Sequence, residues 1–173
     1  GGTFCPTQNK YYVPDYNSSS VDIIDTTTNT LITNLAVGVG DMRMCEYIPS
    51  TDEVWVLTTD FANPVEIIDV VTNSLKPTPV FPACQPQDIC YYAPLDLIYI
   101  VCTSTSTLWK IDPTTRNLLL QTALSFANAG SCGVVNNEIW VGGFGTNRAN
   151  IYDTNTDTFF QIALPNIGNI YRG

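Results

Sequence analysis

The sequence predicts an all-β fold, namely a β-propeller of four blades with four antiparallel strands in each blade. The first reason is a segment that is written four times and closes on an aspartate: VDIIDTTTN, VEIIDVVTN, LWKIDPTTRN and IYDTNTDT. The aspartates recur at intervals of 44, 43 and 41 residues, as Asp25, Asp69, Asp112 and Asp153. A period of about 20–50 residues is typical of repeat architectures. The second reason is that β-branched and aromatic runs alternate with turn signals, without helical periodicity.

Each repeat divides into four predicted strands. The first is an apolar run before a turn, at residues 4–6, 42–49, 88–94 and 131–135. The second carries an aromatic side chain in each repeat, at 11–13, 54–56, 98–100 and 139–141. The third is the repeated segment, whose aspartate is expected to bind backbone amides just beyond it. The fourth spans 31–37, 75–81, 118–124 and 159–164, and Pro77 and Pro79 predict that it is an outer edge, because proline cannot donate to a ladder.

The chain shows no linker or shift in composition, so we expect one domain. The blades are predicted at about residues 1–40, 41–84, 85–127 and 128–165, and residues 166–173 match the innermost strand of a further blade. With an innermost strand at both ends, we expect the chain to be part of a larger ring or array. A closed four-bladed ring and a ring completed by two or more chains are the alternatives.

Composition argues against several classes of function. With 16 acidic and 7 basic residues, the net charge is −9 and no basic patch forms, so a nucleic acid is not an expected partner. The sequence contains no run of about 18 apolar residues, so no membrane-spanning segment is predicted. The chain lacks histidine, so Ser-His-Asp catalysis and histidine-bound metals are excluded for these residues. We expect no enzyme activity, no cofactor and no metal.

The repeat resembles the YVTN-type propeller repeat of bacterial, archaeal and viral surface proteins. The matching residues are 21–32 and 65–75, with the preceding strands at 11–13 and 54–56. The resemblance implies propeller blades but no particular activity, because propellers carry many unrelated functions. The turns at 5–9 and 48–52 are similar to those of repeats in virion- or tail-associated proteins.

The segment Asp153–Asp157 has the alternating oxygens of a calcium loop. However, Thr158 stands where such a loop needs glycine, and Leu164 stands where it needs a bidentate glutamate. The other repeats write the same turn without the extra carboxylate, so we interpret the segment as a turn.

The six cysteines form two groups. One group recurs at nearly one phase, on the predicted first strands, and is interpreted as small buried side chains: Cys5, Cys45, Cys90 and Cys132. Cys84 and Cys102 lie outside that phase, and a disulfide that uses one of them is an alternative in an oxidising compartment, whereas a stack of free thiols on the inner strands would suit a reducing compartment. The absence of Cys-x-x-Cys spacing argues against structural zinc.

Aromatic and acidic side chains supply the remaining candidates. The aromatic residues of the second strands are interpreted as blade core: Tyr12, Trp55, Tyr99 and Trp140. The candidate interaction residues lie in loops after the second strand or near the C-terminus: Tyr16, Phe61, Phe144 and Tyr171. Six further carboxylates are expected in turns on a solvated surface: Asp41, Asp52, Glu53, Asp60, Asp88 and Glu138.

Together these patterns predict a non-enzymatic structural or interaction module of an extracellular, cell-surface, filament or virion assembly. The expected partners are other copies of the chain, other structural proteins or glycans, contacted through loops and sheet edges. The alternative is a small-ligand-binding or enzymatic propeller with its site at the channel mouth. DNA binding is the least favoured class because of the acidic charge.

Overall fold

A computed structural model describes residues 1–164, which form four antiparallel sheets of four strands each. The all-β prediction is confirmed. Tyr171 and the extra strand predicted at 166–173 lie outside the described residues. The chain divides into two compact units, Gly1–Gln85 and Pro86–Gly173, with two sheets in each unit.

The first unit contains eight strands. The first sheet consists of β1 (Thr3–Cys5), β2 (Lys10–Asp15), β3 (Ser20–Asp25) and β4 (Thr30–Ala36). The second sheet consists of β5 (Met42–Ile48), β6 (Glu53–Thr58), β7 (Val65–Asp69) and β8 (Ser74–Lys76). In both sheets the spatial order of the strands follows the chain, so consecutive strands form hairpins and the fourth strand is an edge.

The second unit repeats this arrangement. The third sheet consists of β9 (Pro86–Tyr92), β10 (Leu97–Cys102), β11 (Thr107–Ile111) and β12 (Leu118–Ala123). The fourth sheet consists of β13 (Ala129–Val135), β14 (Glu138–Gly143), β15 (Arg148–Asp153) and β16 (Thr158–Ala163). One 3₁₀ turn, Ala93–Leu95, joins β9 to β10.

The first hairpin of every sheet turns at a residue in the left-handed region. These residues are Asn9, Asp52, Asp96 and Asn136, with φ between 51° and 55°. Asparagine and aspartate tolerate this conformation better than other residues with a side chain. In two sheets the turn aspartate also accepts a bond from a tyrosine hydroxyl, since Tyr47 donates to Asp52 at 2.7 Å and Tyr91 donates to Asp96 at 2.9 Å.

The fourth strand of the second sheet is shorter than predicted. We expected residues 75–81, but β8 ends at Lys76, directly before Pro77. Pro77 and Pro79 lack the N–H that an extended ladder needs, which accounts for the early end. The prediction that this strand lies at the outer edge of its sheet is confirmed by the strand order.

In each unit, the two sheets pack face to face around one apolar cluster. In the first unit the cluster includes Tyr12 and Ile23 from the first sheet, with Val54 and Ile68 from the second. In the second unit it includes Tyr99, Leu108, Ile139 and Tyr152. All eight of these side chains are at most 3% exposed, so this packing is the main source of stability for each unit.

A lysine on one sheet of each unit also reaches a turn of the other sheet. Lys10 Nζ donates to Val70 O at 2.6 Å and to Asn73 Oδ1 at 2.9 Å. In the second unit, Lys110 Nζ lies 2.6 Å from Asp157 Oδ1. These polar contacts fix the lateral position of two faces whose apolar packing alone is not directional.

Candidate interaction surface

The repeated aspartates are turn residues, as predicted. In the third hairpin of each sheet, one carboxylate oxygen accepts two backbone N–H groups that lie two and three residues further on. Hydrogen bonds to the charged form lower the pKa of all four: Asp25, Asp69, Asp112 and Asp153. Asp153 makes the same bonds as the other three, which supports a turn rather than a calcium loop.

Two predicted interaction residues are exposed at the same end of the first unit. Tyr16 is 55% exposed in the β2–β3 loop, and Phe61 is 50% exposed in the β6–β7 loop. Val39, which the sequence reasoning missed, is 74% exposed in the connection from β4 to β5. The flanking residues Gly38 and Gly40 are a sequence signal for a turn, and both adopt left-handed φ values of 109° and 95°, but a turn signal does not identify the valine between them as exposed.

Hydrogen bonds join these three loops side by side. Ser19 Oγ of the β2–β3 loop donates to Gly40 O at 2.9 Å. Asp41 N donates to Thr59 Oγ1 at 2.8 Å, and Thr59 N donates to Asp41 O at 2.9 Å. The loop that carries Phe61 is held by its own network, in which Asp60 accepts from Ala62 N at 3.0 Å and from Asn63 Nδ2 at 2.9 Å. The loops therefore form a framework that presents three apolar side chains to solvent.

Phe144 differs from the other two candidates. It lies in the β14–β15 loop, as predicted, but it is only half-exposed because its ring covers Gly130. A Cβ on Gly130 would lie 2.6 Å from the ring. The ring therefore needs the glycine, and Phe144 contributes packing within the second unit more than a free recognition surface.

The four second-strand aromatics are not equally buried. Tyr12, Trp55 and Tyr99 are fully buried, in agreement with the core interpretation. Trp140 is only half-buried and lines an apolar recess of about 210 Å³. Each tryptophan of this group donates its Nε1–H to the glutamate two residues earlier, Trp55 to Glu53 at 3.2 Å and Trp140 to Glu138 at 2.9 Å.

Two of the carboxylates expected on the surface are buried instead. Glu53 and Asp88 are each 2% exposed and lie in strands rather than turns. Glu53 forms an ion pair with Lys76 Nζ at 3.0 Å. Asp88 accepts Ile89 N and Cys132 N, both at 2.9 Å, which links the third and fourth sheets. Burial is stable here because each charge has hydrogen-bond partners, so both groups have structural roles.

The six cysteines fall into two groups that match their positions in the sequence repeat. The four in-phase residues are buried free thiols on the first strands of the sheets: Cys5, Cys45, Cys90 and Cys132. Cys84 and Cys102, the two outside the phase, are both in the disulfide form. The sequence left this outcome open, because spacing alone does not determine which cysteines are oxidised.

One polar recess lies beside the turns of the fourth sheet, with a volume of about 300 Å³. Its lining consists of turn amides and two carboxylates: Asn136, Asn137, Glu138, Asp153 and Asn155. Glu138 is bonded to Trp140 and Asp153 to backbone amides. Within residues 1–164, no group of three or more His, Cys, Asp or Glu side chains is arranged to hold a metal ion. In the same part of the chain, no helix has the length and hydropathy needed to cross a membrane.

Comparison with known proteins places the fold. No protein-family model matches the sequence, and no curated protein matches it. Among solved structures, the chain is similar to hydrazine synthase of Kuenenia stuttgartiensis, a propeller-containing protein, with a TM-score of 0.78 and 14% sequence identity. The match covers 94% of this chain but 48% of the solved chain, so the chain spans about half the length of the protein it matches.

The four four-stranded sheets and this structural similarity define the class of protein as all-β with a β-propeller-like fold. At 14% identity the likeness concerns the fold alone. In total 1039 solved chains match, and so widely used an architecture does not select one function.

Proposed function

We propose that this protein is a non-enzymatic structural or interaction module that contacts protein or glycan partners of an extracellular, cell-surface, filament or virion assembly. The observation that carries the proposal is the set of exposed side chains Tyr16, Val39 and Phe61 on hydrogen-bonded loops of the first unit. Exposed aromatic side chains on a rigid frame bind partners at a small cost in conformational entropy.

The chemistry of the rest of the chain supports this class. The disulfide form of Cys84 and Cys102 is typical of an oxidising compartment, which agrees with an extracellular or particle surface. The acidic charge favours neither a nucleic acid nor an anionic membrane as partner. The four copies of the turn segment support assignment of the blades to the YVTN type, which we retain as part of the proposal.

We propose no second function. A small-ligand or enzymatic site would need converging polar groups that are not already engaged, and the polar recess of the fourth sheet is lined by carboxylates that bind the chain itself.

The test is a binding screen of the purified chain against arrays of surface oligosaccharides and extracellular proteins. The wild-type chain is compared with the double variant Tyr16→Ser/Phe61→Ser and with a matched control, Val80→Ser/Leu119→Ser. The control also removes two exposed apolar side chains, 98% and 53% exposed, that lie outside the three loops. We expect the loop variant to bind at least about tenfold more weakly, which is the usual effect of losing aromatic anchors.

Three results would contradict the proposed function. One is the absence of any partner for the wild-type chain on both arrays. A second is an equal loss of binding in the control variant, which would locate the contact elsewhere. The third is chemical turnover of an arrayed compound by the wild-type chain, which would replace the proposal with an enzymatic one.

A further inference from the structure

Every sheet carries the same row of four directly paired side chains, one from each strand. In the second sheet the row is Tyr47, Val54, Ile68 and Leu75. In the fourth sheet it is Val134, Ile139, Tyr152 and Phe159. The central members of both rows are at most 1% exposed and belong to the cluster between the two sheets of their unit. Directly paired residues lie on one face of a sheet, so in the second and fourth sheets the row marks the face that packs against the other sheet of the unit.

The corresponding row of the first sheet is open to solvent. It consists of Phe4, Tyr11, Ile24 and Leu31, paired in that order across the strands. Phe4 is 46% exposed, Tyr11 is 38% exposed and Leu31 is 59% exposed. We call this row the leading face. Large apolar side chains collected in one exposed row are typical of an interface that lacks its partner.

The fourth sheet is partly open on the face opposite to the one that packs against the third sheet. Its row is Gly133, Trp140, Ile151 and Phe160, on the side opposite to the cluster with the third sheet. Trp140 is half-buried and Phe160 is 48% exposed, whereas Ile151 between them is 1% exposed, so the face is open in part. An apolar recess of about 210 Å³ lies here, lined in part by Gly133, Trp140 and Ala149. We call this side the trailing face.

We propose that the leading face of one copy docks on the trailing face of a second copy, in a head-to-tail contact. The two faces are the two different halves of an interface that the chain makes twice internally, once in each unit. Trp55, the counterpart of Trp140 on the second sheet, is fully buried, which shows that this position tolerates complete coverage. Such a contact is heterologous, because each copy contributes a different surface.

Charge is compatible with a second copy as the occupant. Each copy carries a net charge of −9, so charged surfaces of two copies repel one another. The two rows, however, contain only uncharged side chains. Apolar burial therefore drives the contact, and added salt is expected to strengthen it by screening the remaining charges.

The inference rests on the proposed function in treating the protein as an interaction module, but it uses residues outside the three loops. Sedimentation velocity over a concentration series measures the association of the full chain, of two face variants and of two control variants. Tyr11→Glu places a charge on the leading face. Gly133→Glu places one on the trailing face, where a Cβ would meet no atom within 4 Å. Leu119→Glu, at an exposed position on the outer strand β12, is the matched control.

We expect the wild-type chain and Leu119→Glu to associate, and each face variant alone to associate at least about tenfold more weakly. An equimolar mixture of Tyr11→Glu and Gly133→Glu should recover a heterodimer, because each variant keeps the face that the other lacks. Association should also reduce the quenching of tryptophan fluorescence by acrylamide. Trp55 and Trp109 are already fully buried, so the reduction reports on Trp140.

Three outcomes would overturn the inference. A wild-type chain that stays monomeric while Trp140 is shielded would show that the chain itself covers the trailing face. Self-association of Tyr11→Glu at wild-type strength would show that the leading face takes no part in the contact. A monomeric wild-type chain in which acrylamide still quenches Trp140 would show that a second copy does not bind either face. The variant Tyr16→Ser/Phe61→Ser should associate like the wild type, which separates this inference from the proposed function.

Discussion

Glu53 Oε2 accepts a hydrogen bond of 3.2 Å from Trp55 Nε1, two residues further along β6. The residues lie on the same face of the strand, and Lys76 supplies the positive charge that the buried carboxylate needs, at 3.0 Å. Glu138 and Trp140 repeat the hydrogen bond on β14. The relationship shows why a charged residue occupies a buried strand position: it satisfies an indole N–H that would otherwise be buried without an acceptor.

The Glu53–Lys76 pair gives the first prediction. Lys76→Met removes the cation and leaves a carboxylate that is 3% exposed, so we expect the free energy of unfolding to fall by about 3 kcal/mol. In the double variant Glu53→Gln/Lys76→Met the loss should be smaller than the sum of the two single losses, because the charge is removed together with its partner. Urea denaturation of all four proteins measures this coupling, and strict additivity would contradict it.

The turn aspartates give a prediction about pH. Amide hydrogen bonds, chiefly from Thr72, together with Lys76 Nζ at 3.2 Å, hold the pKa of Asp69 at about 2, whereas an unfolded chain has a value of about 3.9. A lowered pKa in the folded state contributes stability above the unfolded value, and that stability is lost as the pH falls from about 4 to about 2. Stability should therefore decline across this window, and the decline should be smaller in Asp69→Asn.

Chemical denaturation at fixed pH values between neutral and about 2.5 measures this effect. Asp41→Asn is the matched control, because the same change of charge is made in the β4–β5 connection rather than in an aspartate turn. If the free energy of unfolding fell equally steeply with pH in the wild type and in Asp69→Asn, the aspartate turn would not contribute to the acid sensitivity.

The state of the cysteines predicts a thiol count. In denaturant without reductant, four thiols should react with iodoacetamide, and after reduction all six should react. In the native protein the four free thiols should react slowly, because all are buried. Intact-mass spectrometry of the alkylated chain measures the number, and peptide mapping should identify Cys84 and Cys102 as the two protected residues. Six reactive thiols without reductant would contradict the prediction.

The sequence was sufficient for the repeating elements of the fold because their signals are local. An aspartate at the end of a strand, or a left-handed asparagine in a hairpin, acts within a few residues of itself. The early end of β8 was only partly foreseen: Pro77 indicated an edge strand, but the predicted range ran past it. Burial of Glu53 and Asp88 could not be predicted, because their partners, Lys76 and Cys132, lie far along the chain.

The candidate surface was predictable to a similar degree. Tyr16 and Phe61 were identified as loop aromatics and are exposed, whereas Phe144 is partly covered because Gly130 leaves room beneath its ring. Val39 was missed because a single valine between glycines carries no periodic signal. The partial exposure of Trp140 was missed for another reason: the repeat predicts the same burial for every copy, and only the three-dimensional arrangement shows that one face is open.

Two glycines provide the last prediction, as a matched pair of alanine substitutions. Gly40 has φ of 95°, and a Cβ there would lie 2.8 Å from Asp60 N and 2.9 Å from Thr59 Oγ1. Gly40→Ala therefore strains the backbone and separates two of the three loops, and we expect a loss of at least about 1 kcal/mol in the free energy of unfolding. Gly133 has no atom within 4 Å of its Cβ position, so Gly133→Ala should be neutral or slightly stabilising.

Thermal denaturation of the two variants compares their stability, and hydrogen exchange locates the change. For Gly40→Ala, faster exchange should appear at the amides of Asp41 and Thr59, which bond across the loops at 2.8 Å and 2.9 Å. Equal stability of the two variants would mean that the loops adjust without cost, and Tyr16, Val39 and Phe61 would then not be held on one rigid frame. A selective loss in Gly40→Ala would tie the exposed side chains of the first unit to a single backbone position.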